Sequence, residues 1–77
     1  MRERNFGTWL RKELHDMERS NEWLYRRVGI ATGSINRWSS GMETSLGTSM
    51  KIFRLIANQK QTTRIKVIEQ YLEYLGC

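Results

Sequence analysis

Residues 21–41, Asn-Glu-Trp-Leu-Tyr-Arg-Arg-Val-Gly-Ile-Ala-Thr-Gly-Ser-Ile-Asn-Arg-Trp-Ser-Ser-Gly, restrict the fold more than any other stretch of the chain. Leu24 and Val28 form an i, i+4 apolar pair, so the segment before Gly29 reads as a short helix with one inward face. Ser20 is its cap, and Gly29 stands where a left-handed residue closes a helix, a conformation that costs a residue without Cβ almost nothing. Past a short turn, Ile35 and Trp38 make an i, i+3 pair on a second helix, expected over about 32–40 and closed by Gly41. Ala31 at its entrance offers no capping oxygen and Gly33 lies in its first turn, so the start of this helix is intrinsically weak. Thr32, Gly33, Asn36 and Arg37 fall at i, i+1, i+4 and i+5, on the side opposite the apolar pair.

Two short helices joined through a glycine turn make a helix-turn-helix, whose second helix can lie in a DNA major groove. The spacing resembles the lambda-repressor/Cro-like (XRE-type) family, through Leu24, Gly29, Ile30, Ile35, Trp38 and Gly41. Residues 44–56 resemble that family's fourth helix and the loop before it, so the likeness covers roughly 6–57. It implies an all-α, five-helix lambda-repressor-like DNA-binding domain, and a small phage or prophage regulator. The chain departs from the pattern at Tyr25, where the family has a small residue at a close helix crossing. Tyr25 must tilt outward or force the two helices apart. Ala31 is a second departure, standing where the family often places a capping Ser or Thr. Phe53 is a third, in a slot that is often Ala.

The rest of the chain supports one small domain of 77 residues with no Pro, which favours helices. Phe6, Leu10, Leu14 and Met17 trace an amphipathic stripe over 6–18, with Asn5 as cap. Glu3, Arg4, Arg11, Lys12, Glu13 and Asp16 are expected on its solvated side, and Trp9 beside the stripe, either in the core or at a surface contact. Residues 41–47 read as a loop with Met42 and Leu46 tucked in. A fourth helix is expected over about 48–57, capped by Thr48, with Met50, Ile52, Phe53 and Ile56 buried. After a polar break at 58–62, a fifth helix over about 63–75 places Ile65, Ile68, Leu72 and Leu75 at i, i+3, i+7 and i+10, with Tyr71 and Tyr74 flanking. That is the spacing of a helix-pairing seam, and the helix either pairs with a second copy or folds back over its own core. Both hold at once if Ile65 and Ile68 turn inward and Leu72 and Leu75 outward.

Chemistry is sparse. His15 is the single histidine and Cys77 the single cysteine, so neither a catalytic constellation nor a multi-residue metal site is in view. No Gly-rich phosphate loop, secretory leader or membrane-length apolar run occurs, and no enzyme, cofactor or small-molecule substrate is expected. Thirteen basic against eight acidic residues leave a net charge of +5, which suits a nucleic-acid partner in the cytoplasm. The expected base readers are Arg37 on guanine, Asn36 on adenine, Thr32 through its hydroxyl and methyl, and Gly33 through close backbone approach. The resemblance implies DNA-backbone contacts at Asn21, Ser34, Ser39, Ser40 and Thr44. A single domain has too small a footprint for tight specific binding, so a homodimer on a pseudo-palindromic operator is expected, with Tyr71, Leu72 and Leu75 on the helix-five seam as its candidate contact. The leading expectation is a Cro-like repressor, with a DNA-binding antitoxin as a close variant. The alternative from another class is a protein-interaction module that docks a partner on Trp9, Trp23 and Tyr25.

Overall fold

The computed structural model describes residues 4–76, so Glu3 and Cys77 lie outside the described residues. Five helices follow in order: α1 (Phe6–Asp16), α2 (Asn21–Val28), α3 (Ser34–Ser39), α4 (Leu46–Gln59) and α5 (Arg64–Leu75). Among the described residues there is no strand, and the fold is all-α.

Local chemistry sets most helix ends. Asn5 closes a reciprocal capping box: its side chain accepts from Thr8 N at 3.0 Å, and its own N–H donates to Thr8 Oγ1 at 2.9 Å. Ser20 and Thr63 cap α2 and α5 in the ordinary way, each accepting from the backbone N–H three residues on. Gly29 takes the left-handed conformation, φ 77°, that ends α2. Helix α1 stops at Asp16, two residues short of expectation, because Glu18 turns left-handed at φ 56° and the chain bends toward Ser20. Helix α4 begins at Leu46 rather than 48. Ser45 is its cap, and Thr48 is the residue whose N–H Ser45 Oγ accepts.

The core is a cluster of aromatic and branched side chains. Leu10, Leu24, Ile35, Ile52, Ile56 and Val67 are fully buried, and Trp9 is 1% exposed, which places it in the core. The Phe6, Trp9, Phe53 and Tyr71 rings meet with centroids 5.1 to 5.8 Å apart in tilted or edge-on pairs, the arrangement their quadrupoles favour. Phe53 therefore serves as a hub of this cluster rather than a spacer between helices. Helix α1 presses on the end of α3 so closely that a Cβ at Gly7 would lie 2.2 Å from Ser39 N. Asn5 ties the same junction by donating from Nδ2 to Ser39 O at 2.9 Å.

Several expectations are corrected. Glu13 is 3% exposed rather than solvated, and it accepts from Lys60 at one oxygen and from Lys12 at the other, the latter at 3.4 Å. Met42 and Leu46 are 60% and 78% exposed, because the packed part of α4 starts a turn later, at Ser49. Helix α5 is rotated from the expected seam. Val67, Tyr71 and Tyr74 face the body of the protein, Ile68 is half-buried, and Ile65 is 69% exposed. Two tyrosine rings cover more apolar surface than the aliphatic stripe offers, and Tyr74 adds a hydroxyl donated to Thr8 Oγ1 at 3.0 Å.

Candidate functional site

Helices α2 and α3 are joined by residues 29–33, and the exposed edge of α3 is the best-defined polar feature they present. Behind it, Ile35 and Trp38 are buried. In front, Asn36 and Arg37 are exposed, with Ser40 just past the helix end. Thr32 and Gly33 do not belong to this helical face. Gly33 has φ 90° and ψ −3°, a left-handed residue that cannot be a helix turn, so α3 begins at Ser34 and the expected four-residue stripe is cut to its second half. Thr32 remains exposed in the turn, and Gly33 is half-buried.

The serines divide by environment. Ser34 is buried, its hydroxyl donating to Ala31 O at 2.6 Å and accepting from Arg37 Nη2 at 3.5 Å, so the hydroxyl expected at a DNA backbone is used inside the protein. Ser39 is half-buried, and its hydroxyl donates to Ile35 O at 2.8 Å. Ser40 is exposed, with its hydroxyl on Asn36 O at 3.0 Å. Asn21 is exposed at the first position of α2, and Thr44 is half-buried in the loop before α4.

Tyr25 neither tilts outward nor stays a mere spacer. It is buried, and its hydroxyl accepts from Ile35 N at 3.3 Å. No side chain at Gly33 caps α3, so a tyrosine of α2 satisfies one of its first amides instead. The large residue at Tyr25 thus supplies an acceptor to a helix start that has no side-chain cap of its own.

One basic side chain from another helix reaches the edge, and further basic groups lie elsewhere on α1 and α2. Arg11 of α1 is exposed and donates from Nη2 to Asn36 Oδ1. On α2, Arg26 pairs with Glu22 at 3.4 Å, while Arg27 and Arg19 lie 5.8 and 5.1 Å from the Trp23 ring centre. Partial burial works against the Lys12 charge, but Glu13 and Asp16 outweigh it and hold the ammonium above its ordinary value. With Trp9 and Tyr25 in the core and Trp23 half-buried, these three do not form a docking surface.

A second feature escaped the sequence reading. An apolar cleft of about 470 Å³ opens between the 41–44 loop, the start of α4 and α5, floored by Phe6, Trp38 and Phe53. Met42, Leu46 and Leu72, three of the four large exposed apolar residues among the described residues, line it. Tyr71 also lines it but stacks in the core cluster, and Leu75 is half-buried, so of the three residues expected at a dimer contact only Leu72 is freely exposed.

Fold and site together define a small all-helical domain with a polar, basic edge on a short buttressed helix and an apolar cleft beside it. Comparison with protein-family models, curated proteins and solved structures found no match.

Proposed function

We propose that the protein binds double-stranded DNA sequence-specifically, as a Cro-like, helix-turn-helix repressor of the lambda-repressor/Cro-like kind. The observation that carries this reading is the outward edge of α3. Asn36 and Arg37 are exposed side by side on a helix held from behind by Ile35 and Trp38, and Arg11 adds a further cation. Bidentate side chains on a short rigid helix suit the donor and acceptor pattern of a major groove. Thr32 stands at the entrance of the same edge, and Asn21, Ser40 and Thr44 flank it as contacts to phosphate. Ser34 takes no part, since its hydroxyl is buried. Repression follows from occupancy: a protein seated on its operator blocks polymerase with no chemistry of its own, and its place of work is the cytoplasm. No helix among the described residues is long and apolar enough to cross a membrane.

One domain of this size covers few base pairs, so the reading includes a homodimer on a pseudo-palindrome. Leu72, joined by Met42 and Leu46 at the cleft, is the contact it favours, because these exposed apolar side chains gather in one place. Selection of bound duplexes from a random pool tests the proposal. The expected result is a two-fold site with half-sites roughly 34 Å apart. Affinity should fall steeply and log-linearly with salt as counterions are released. Recovery of no enriched sequence overturns it.

A further inference from the structure

The edge of α3 is built from two helices. Arg11 reaches it from α1, 25 residues away in sequence, and places its guanidinium on the carbonyl end of the Asn36 amide. That contact changes what the amide can read. A carboxamide recognises adenine with both ends at once, Oδ1 accepting from the N6 amino group and Nδ2 donating to N7. With Arg11 on one lone pair of Oδ1, an incoming adenine amino group must share that oxygen with a cationic donor, which weakens its bond there.

The remaining capacity of the edge is mostly donor. Asn36 keeps its two amide N–H groups, Arg11 keeps most of its five N–H donors, and the Arg37 fork lies one residue further along. Guanine presents two acceptors, O6 and N7, in the major groove, and a guanidinium beside an amide donor is drawn to both. Adenine presents one acceptor beside a donor, and cytosine presents a donor.

We infer that the protein reads guanine, not adenine, at the base facing Asn36, and that Arg11 is the specificity-determining residue that enforces this choice. The inference rests on the DNA-reading proposal above and assigns α1 a part in specificity.

The test compares the wild type with Arg11→Ala, Arg11→Lys and Asn36→Ala, by selection from random duplexes and by titration of guanine and adenine versions of the recovered site. Arg11 and Asn36 are exposed, so far-ultraviolet circular dichroism should remain unchanged in all three. The wild type is expected to prefer guanine at one position of each half-site by roughly tenfold or more. In Arg11→Ala the freed Oδ1 should bring that ratio to unity or reverse it toward adenine, while the other positions keep their bases. Arg11→Lys, which retains a cationic donor, should restore the preference for guanine. Asn36→Ala should abolish the response of that position to Arg11. If Arg11→Ala instead weakens every duplex alike and only lowers the salt slope, Arg11 is a phosphate contact and the inference falls while DNA reading stands. A wild type that enriches no sequence overturns both.

Discussion

Tyr25 shows at the scale of one residue how a single hydroxyl can decide the order of a neighbouring helix. Its oxygen accepts from Ile35 N at 3.3 Å in a buried setting, and no other side chain caps α3. Tyr25→Phe keeps the ring and removes the acceptor, so the amide is left buried and unpaired, at a cost of about 1–3 kcal/mol. Chemical denaturation should register that loss, and amide exchange at Ile35 should accelerate more than at the buried amides of α1. Gly7 acts through space rather than bonding. In Gly7→Ala the new Cβ meets backbone of Trp38 and Ser39 that has no flexible end to yield, with Ser39 N at 2.2 Å. A loss of about 1–3 kcal/mol and a lower Tm are expected, since overpacking at a backbone contact is relieved only by moving α1 off α3. Arg37→Ala tests the proposed DNA recognition instead. It should cost about 1–3 kcal/mol on the cognate site and relax one base position, whereas Asn21→Ala should weaken all duplexes alike. Equal losses on cognate and scrambled DNA for Arg37→Ala reject it as a base reader.

At the scale of elements, α5 illustrates why an apolar spacing alone does not reveal which face turns inward. Its aliphatic residues at 65, 68, 72 and 75 fit a seam, yet Val67, Tyr71 and Tyr74 are the ones that meet the body of the protein. The choice follows from what α5 packs against. Phe6, Trp9 and Phe53 form an aromatic wall, and Tyr71 completes it edge-on and tilted. Of the aliphatic residues, Ile68 and Leu72 line the cleft. Leu72→Asp removes a 43% exposed leucine, so the fold should persist; on the proposed dimeric reading, sedimentation shifts from dimer to monomer and operator affinity drops. Unchanged mass and affinity in that variant remove the cleft from the dimer account.

The whole molecule depends on a polar tie as well as its core. Glu13, 3% exposed, binds Lys60 at the end of α4 and so connects the first helix to the fourth. Lys60→Met takes away its main partner. Because the Lys60 side chain is 28% exposed and Lys12 stays within 3.4 Å of Glu13, the expected loss is about 1–3 kcal/mol, less than for a fully buried pair. Lys12 also carries a signature in alkali. Its ammonium is held above its ordinary value of 10.5, so its contribution to stability is complete below that pH and is lost as pH rises through the higher folded value. Lys12→Met should flatten that part of the stability profile in denaturant titrations.

Short-range chemistry was legible in the chain from the start. The caps at Asn5 and Ser20, the left-handed Gly29 and the inward pair Ile35 and Trp38 are written within three or four residues of where they act, because a helix end is satisfied by its own neighbours. What the tertiary structure alone decided are the partnerships across the chain: Glu13 with Lys60 over 47 residues, Tyr74 with Thr8 over 66, Arg11 with Asn36 over 25. No periodicity encodes which polar side chain another will meet once the helices pack. For the same reason Met42 and Leu46 read as core residues from their apolarity, yet they stand in solvent at the rim of the cleft.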